Sequence, residues 1–472
     1  LPGEPTAVAL ALDLGTTRVK AARVDARGCL FDLAAVAAPV PAGDGAVREV
    51  DPAAYRAAAE EALDRVAAGT AGDLPVGIAS QRSSFLLWER DGGRPVTPIV
   101  SWQDRRAAAW CDRRRERGPD LAARTGLLLS PHYLGPKLAS MLEADPDLRA
   151  RAESGELRAG TLDAWLGETW GGDAGFRTDP TMAARTLLVE LGVADWSDAL
   201  LEETGVPRAL LPVVGRSEAD PVALPGRGRL TASLADQAAG LLAATGGGPR
   251  LLVNLGTGCF VLVPTGEAPR PTPGYLAGPC LAPADGPARY ALEGTVNAGG
   301  AEADRHAPGP TDCPARDPAP DAFCLPDAAG VGAPYWRPEM SRVLSPAARA
   351  LDDAGRRRVV LEGLLFRVRG ILEDLGGAEA DAVLLAGGLA RDPFVAEGLA
   401  ACLDRPIVRL DDPESTLAGA GRLAAGVLDL AGAGSGGDAG ETIEPADRSG
   451  WLRGKYERWR EWLPSALAGE EA

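Results

Sequence analysis

The sequence predicts an α/β protein built as two similar lobes that face each other across a cleft. Two observations carry this expectation. Apolar strand-like runs alternate with Ala-rich helical stretches in both halves of the chain, the pattern of packed α/β layers. In addition, one tight turn between apolar runs occurs twice. The first copy reads Val8-Ala-Leu-Ala-Leu12-Asp13-Leu14-Gly15-Thr16-Thr17-Arg18-Val19-Lys20, and the second reads Leu251-Leu-Val253-Asn254-Leu255-Gly256-Thr257-Gly258-Cys259-Phe260-Val-Leu262. Each reads as strand, turn, strand, with Gly permitting the bend. Backbone N–H groups and Thr hydroxyls at such a turn can hold an anion as a nest does. A single Gly-Thr hairpin is weak evidence. Two copies spaced by about one domain length point to two lobes facing one nucleotide.

The elements follow in order. Residues 1–40 read as an antiparallel meander that opens with the first hairpin. Ala53–Ala68 is helical by its alanine content and spacing, and Val76–Ser80 is a short strand leading into Gln81-Arg82-Ser83-Ser84. Phe85–Trp88 is a strand turned at Asp91-Gly92-Gly93. Ile99–Trp102 is another, ending in Gln103-Asp104-Arg105-Arg106 before a helix. Pro136 to about Leu166 reads as helix throughout. A second lobe is expected from Ala235, where Asp236-Gln237 opens a helix, and it continues through the second hairpin. Gly355–Leu375 reads as a long amphipathic helix, Ala382–Leu385 as a strand running into Gly387-Gly388, and Leu417–Leu430 as a small-residue helix. Glu302–Ala329 lacks periodicity and is expected to be a loop. Ala431–Gly440 reads as a flexible linker. It leads to a terminal helix whose Trp451, Tyr456, Trp459 and Trp462 form a stripe suited to packing. The expected domains are therefore 1–234, 235–430, and a linker with terminal helix over 431–472.

Composition excludes several classes of function. With 472 residues there is chain enough for two or three domains. A net charge of −17 argues against nucleic acid or an anionic membrane as the main partner, since both require basic patches. Lysine is reduced to Lys20, Lys137 and Lys455, which reads as a base-composition effect; no GxxxxGK[ST] occurs, so a P-loop is excluded. Seven widely spaced cysteines and only two histidines indicate neither a disulfide framework nor a zinc site. No apolar run approaches the length of a membrane helix and no signal peptide is visible, so a reducing cytoplasm is expected.

Taken together, the ordered strings identify a resemblance. They are Asp13-Leu-Gly-Thr-Thr17, Gly77-Ile-Ala-Ser-Gln-Arg82, Ser101-Trp-Gln-Asp-Arg-Arg106, Thr161-Leu-Asp-Ala-Trp165, Thr178-Asp-Pro-Thr-Met-Ala-Ala-Arg-Thr186 and Asp236-Gln237. The second half adds Gly256-Thr-Gly-Cys-Phe260, Leu292-Glu-Gly294, Gly332-Ala-Pro-Tyr-Trp336, Leu361-Glu-Gly363 and Ala386-Gly-Gly388. Over most of residues 7–428 the chain resembles the FGGY carbohydrate kinases, the glycerol kinases among them most closely. The resemblance implies two RNase H-like lobes of the actin/hexokinase type around a central cleft. It also implies ATP-dependent phosphorylation of a hydroxyl on a small polyol or sugar of the glycerol, tetritol, pentitol or ketopentose class. ATP and Mg²⁺ are the implied cofactors. Nucleic acid and membrane are not implied partners, and there is room for a homodimer.

Phosphoryl transfer to an alcohol needs held phosphates, a neutralising ion, and a base near the hydroxyl. Asp13, at the mouth of the first hairpin, is placed to hold Mg²⁺ through water; a turn-capping Asp is the bland alternative. Gly15, Thr16, Thr17, Arg18, Gly256, Thr257, Gly294, Gly387, Gly388 and Asp392 are the implied nucleotide-side residues. A carboxylate at a helix start is most often an N-cap, but the resemblance makes Asp236 the general base. It likewise implies an acceptor pocket of Arg82, Trp102, Asp236, Gln237 and Phe260. The family's tyrosine register falls on His132 with Tyr133 beside it, and both remain open. Polar groups there can bond hydroxyls while the rings contact carbon.

The chain departs from glycerol kinases at three places. Ser83 stands where they carry Glu after Arg82, so a charged acceptor is replaced by a short neutral one. Ala235 stands where they usually carry Gly. The stretch between Gly294 and Gly332 is short, which raises the competing reading of a catalytically weak nucleotide-binding or regulatory protein on the same fold. A heat-shock-chaperone-type ATPase shares the twin turns, but no β-rich peptide-binding segment follows residue 430.

Overall fold

The computed structural model describes residues 5–70, 72–256, 258–377, 382–411, 414–428, 440–445 and 450–469. Thr257 and all of the expected linker except Gly440 lie outside the described residues.

The two hairpins occupy equivalent places in two sheets of the same topology. In the first, six-stranded sheet, Ala9–Leu14 pairs antiparallel with Arg18–Val24, which pairs antiparallel with Leu30–Ala37. On its other side Ala9–Leu14 runs parallel to Pro75–Ser80, itself parallel to Gly228–Ala235. In the seven-stranded sheet, Leu251–Leu255 pairs antiparallel with Cys259–Gly266 and that strand with Arg289–Val296. On the other side lie the parallel strands Val383–Ala386 and Ile407–Leu410. The second turn is one residue tighter, since Leu14 faces Val19 in the first hairpin while Leu255 faces Cys259 in the second.

Alternation in the sequence explains the layering. Leu10, Leu12 and Leu14 enter a core with Tyr55, Ala59 and Leu63 of the helix Pro52–Ala67. Ala9 and Ala11, on the opposite face, pack with Val24 and Leu417. Both faces are buried, so the strand reads as a continuous apolar run.

The helix Ser415–Ala425 joins the two halves. It follows the second sheet in sequence, yet it packs against the first sheet and against the helix Asp236–Thr245. Glycines set the closeness of this approach. A Cβ on Gly77 would overlap the Ala420 carbonyl, and one on Gly419 would overlap the Ala239 carbonyl. One on Gly421 would lie 2.8 Å from Ala11 Cβ. The small-residue composition of this helix is therefore a packing requirement. It ends at Gly426 in the left-handed region, short of the expected Leu430, which lies outside the described residues.

Two further expectations are revised. The stretch from Pro136 to Leu166 is not one helical region. It forms the helices Leu134–Ala144 and Pro146–Glu153, then the strand Leu157–Thr161, then the helix Leu162–Gly171. The strand is recruited by antiparallel pairing with Phe85–Glu89, a tertiary partner that local periodicity does not reveal. The expected loop contains the short helix Gly300–Asp304 and the strand Cys324–Leu325, and is otherwise irregular. The terminal helix Trp451–Ala468 clamps it: Trp451 Nε1 donates to the Pro314 carbonyl and Trp459 Nε1 to that of Cys324. No described helix is long and apolar enough to cross a membrane.

The seam between the halves is sensitive to volume. Gly77→Val should lower stability by about 1–3 kcal/mol, because a side chain there must displace the backbone of the helix Ser415–Ala425. Urea unfolding of the variant and wild type checks this, and unchanged midpoints would show that the helix is free to retreat.

Candidate active site

The ends of the two hairpins and the start of the helix Asp236–Thr245 bring titratable groups from distant sequence together. Asp13, at the end of its strand, lies cross-strand from Lys20, whose Nζ is 2.6 Å from Glu414 Oε2. Burial pushes the Asp13 carboxyl up to about 7, with the nearby Asp236 and Glu414 adding to it against Lys20. Asp236 is likewise raised, first by burial, with Arg82 pulling the other way. Its Oδ1 accepts the Gln237 N–H at 2.8 Å and lies 3.4 Å from Arg82 Nε. Two carboxylates that oppose each other's ionisation thus share the cleft.

A charge cluster crosses between the lobes beside them. Arg82 Nη1 donates to Glu293 Oε2 at 2.7 Å and Nη2 to Oε1 at 3.2 Å, and Arg185 Nη2 also donates to Glu293. Burial opposes ionisation of Glu293, but the Arg185 and Arg82 guanidiniums outweigh it and hold the carboxyl at about 2. Two arginines face two carboxylates, so the cluster is electrically balanced. Glu293 lies in the quoted Leu292-Glu-Gly294 string and Arg185 in the Thr178–Thr186 string. The sequence reading assigned neither a role, because nothing local indicates that they meet.

The acceptor-side rings gather around this cluster. Phe260 lies with its ring centroid 6.0 Å from the Arg82 guanidinium. Trp102 and His132 ring centroids are 5.7 Å apart, and His132 meets Tyr133 edge-on at 5.2 Å. Burial, with Lys137, Arg82 and Arg185 nearby, pushes His132 down to about 3, so its imidazole is neutral at physiological pH. Tyr133 is buried in a small core with Leu127, Leu187 and Leu276, whereas His132 is partly accessible.

A closed hydrogen-bond ring ties Trp102 to the first turn. Its indole Nε1 donates to Thr16 Oγ1 and its backbone N–H to Ser84 Oγ, both at 2.9 Å. Both hydroxyls donate to Gln81 Oε1, at 3.1 and 3.0 Å. The Gln81 amide in turn donates to the Gly15 carbonyl and Tyr55 hydroxyl. Gln81 is another residue the sequence reading passed over, although it fixes the phosphate-type turn from beneath.

The remaining nucleotide-side expectations divide. Thr17 and Arg18 are exposed at the mouth of the first turn, while the Thr16 hydroxyl is engaged by Trp102 and Gln81. Gly15 has no room for a side chain, since a Cβ would sit 2.5 Å from the Arg18 carbonyl oxygen. Gly387, with φ 95°, brings the Gly387-Gly388 segment against Leu255, so these glycines and Gly256 lie together, and Gly388 opens onto free space.

Three assignments need correction. Gly294 faces away from the cluster that holds Glu293; its missing Cβ would sit 2.5 Å from Ile371 Cγ2, so it is a strand–helix packing glycine. Asp392 is a buried N-cap of the helix Pro393–Leu403, accepting Phe394 N–H at 3.0 Å and paired with Arg357 at 3.0 Å, which occupies it structurally. Ser83 is 1% exposed, and its hydroxyl is turned onto the Arg185 carbonyl at 3.4 Å, so it is engaged within the protein and not presented to the cleft.

Ala235 is benign. With φ −65° and ψ 147° it does not need glycine, and its N–H donates to Thr181 Oγ1 at 2.8 Å, which sets the start of the Asp236 helix. Beneath Arg82, Arg185, Gln237 and Glu293 lies a polar cavity of about 20 Å³. A larger cavity of about 270 Å³ lies at the other end of that helix, among Leu241, Thr245, Pro264 and Tyr290, and it touches none of the charged groups of the cleft.

Comparison with known proteins places this geometry. A model of the N-terminal domain of the FGGY family of carbohydrate kinases matches residues 8–228, and one of the C-terminal domain matches residues 251–427. A glycerol kinase of Thermus brockianus is 38% identical over 400 residues, 79% of this chain and 80% of that one. Among solved structures, Plasmodium falciparum glycerol kinase with ADP superposes with a TM-score of 0.82 at 19% identity, covering 98% of each chain. A ligand-bound xylulose kinase of Lactobacillus acidophilus gives 0.83 at 19% identity, again over 98% of each. The structural matches establish a shared fold.

The charge cluster has a measurable signature. Glu293→Gln should cost about 3 kcal/mol at neutral pH, because it removes the carboxylate that Arg185 and Arg82 share and leaves two buried guanidiniums facing Asp236 alone. A carboxyl held at about 2, below its ordinary 4.5, contributes stability that is complete above 4.5 and is lost as pH falls through 2. The difference between wild type and variant should therefore be flat above that window and narrow within it. Urea titrations across the acid range check the shape; a gap that persists to the lowest pH would show that the pair does not act through ionisation.

Proposed function

This chain belongs to the FGGY family of carbohydrate kinases, and we propose that it transfers the γ-phosphoryl group of ATP to a hydroxyl of a small neutral polyol or sugar held at the Asp236–Arg82 end of the cleft. The observation that carries this reading is the convergence of Asp236 with Asp13 of the first turn and with Arg82. In this reading residues 1–234 hold the ion and most of the acceptor, residues 235–430 hold the nucleotide and add Asp236, Gln237 and Phe260 to the acceptor side, and the strand Gly440–Ile443 and helix Trp451–Ala468 complete the sheet and core of the second half.

Asp236 is the general base. Burial raises its affinity for a proton, while Arg82 Nε and the Gln237 N–H keep the ionised form accessible. Such a balanced carboxylate can take the acceptor's proton as its oxygen approaches phosphorus. Arg82, Gln237 and His132 supply hydrogen bonds to hydroxyls, and Trp102 and Phe260 line the carbon face. His132 rather than Tyr133 takes the tyrosine's part, because it is the accessible member of the pair. The balanced Arg82–Arg185–Glu293–Asp236 cluster favours a neutral acceptor, since an acid would bring an unmatched charge.

Asp13 fits a magnesium site. Mg²⁺ keeps several waters and takes one or two carboxylates together with phosphate oxygens, so a single well-placed carboxylate suffices. A carboxyl raised to about 7, first by burial and then by Asp236 and Glu414, is one that a divalent cation would stabilise in its ionised form. When bound, the ion supplies neutralisation of charge on the transferring phosphate. The turns Gly15–Arg18 and Gly256, with Gly387 and Gly388, provide backbone close to where the phosphates would lie.

Two outcomes test this. Asp236→Asn should reduce kcat by about 10²-fold or more while leaving the KM for ATP within about twofold; near-native turnover would remove Asp236 as the base. In an ADP-formation screen over glycerol, tetritols, pentitols, ketopentoses and hexoses, a four- or five-carbon acceptor should exceed glycerol in kcat/KM. Ser83 is shorter than the Glu it stands in for and offers no charged partner to a terminal hydroxyl. Glycerol as the clear best acceptor would show that position 83 does not set preference.

A further inference from the structure

We infer that Lys137 is a positioning residue for the acceptor: one buried amine holds in register the three chain segments that carry Arg82, Trp102 and His132. The inference rests on the acceptor assignment made above. Lys137 lies on the helix Leu134–Ala144, five residues after His132, and its side chain is fully buried. Nζ donates to the Ser83 carbonyl at 3.0 Å and to the Ser101 carbonyl at 2.8 Å, with the Phe85 ring 5.8 Å away. Ser83 follows Arg82 in the chain and Ser101 precedes Trp102. The amine therefore fixes the backbone next to each of two acceptor-side residues from the helix that directly follows the third.

The backbone at Ser83 shows that something must hold it. Its φ is 66°, in the left-handed region that a non-glycine residue avoids because its Cβ crowds the backbone. The bond from Lys137 to its carbonyl opposes relaxation to negative φ, which would swing the adjacent Arg82 away from Asp236 and Glu293. Arginine could not replace this tie. Its planar fork suits a carboxylate, whereas two backbone carbonyls converging on one point suit a compact tetrahedral donor. That contrast has weight in a chain that uses arginine for nearly all its cations and keeps only three lysines. Burial pushes the Lys137 amine down to about 7 against the attraction of Asp104, but both protonation states carry the two donors the carbonyls need. The tie is geometric and not a pH switch.

The test compares two variants that are both one atom shorter than lysine: Lys137→Met, which removes both donors, and Lys137→Gln, which keeps them. The readout is acceptor-dependent ADP formation by the full chain, with the best acceptor from the panel above. Lys137→Met should raise the acceptor KM about tenfold or more, the loss expected when hydrogen bonds from a charged donor are removed. The KM for ATP should stay within about twofold, and Lys137→Gln should recover part of the loss. An unchanged acceptor KM in Lys137→Met overturns the inference, as does a parallel rise in both KM values, which would mark general loosening. Should Lys137→Met not fold, Lys137→Leu, which also removes both donors, carries the same comparison: a selective rise in acceptor KM supports the positioning role, and equal or absent effects on both substrates overturn it. Silence of the wild type towards every acceptor would instead overturn the kinase reading itself, so the two failures are distinct.

Discussion

The active-site cleft depends on one carboxylate. Glu293, from the second sheet, is gripped by Arg82 and Arg185, both from the first half of the chain. Buried ion pairs contribute little net stability, because desolvation consumes most of the Coulomb gain. Their effect is conditional. Removing Glu293 would leave the two guanidiniums with Asp236 as their nearest carboxylate, so burial of the pair favours the register in which Glu293 meets both. Arg82 in that position then reaches Asp236 through Nε, and Asp236 in turn raises Asp13. The electrostatics of the whole cleft follow from this anchor.

Around it, neutral hydrogen bonds do the aligning. Gln81 collects Thr16, Ser84, Gly15 and Tyr55, and so couples the first turn to Trp102. Thr181 receives the Ala235 N–H and donates to Asp179, which also accepts from Ser217. That second chain sets the start of the helix carrying Asp236. These supports belong to strand ends and helix starts, which move less than loops, and rigid elements are where a reacting geometry is best held.

The duplicated sheets are alike in topology and unlike in chemistry. Asp13 and Asn254 hold equivalent places before their turns, one parallel partner away from Ala79 and Ala386. A carboxylate on one side and an amide on the other means that only the first turn offers an anionic ligand to a cation. The similarity supplies two facing turns, and the difference gives them separate tasks. The close glycine contacts of Gly77, Gly419 and Gly421 keep the helix Ser415–Ala425 against both halves, so the carboxylates on either side keep their spacing.

Much of this was legible in the sequence. The paired turns and the order of the major strands are written in local residue patterns, because turns and buried strands leave period-two and glycine signatures, whereas Arg82, Trp102 and Asp236 are grouped by the family resemblance of their strings. What the sequence could not decide are contacts between residues far apart in the chain. The strand Leu157–Thr161 looks helical until Phe85–Glu89 lies beside it. Gly294 and Asp392 sit in suggestive strings, yet a helix face and an Arg357 partner claim them. Glu293, Arg185, Gln81 and Lys137 carry no local mark at all. Their roles arise only when burial removes water and leaves each donor and acceptor to find a partner within the protein, and that pairing is a property of the tertiary structure alone.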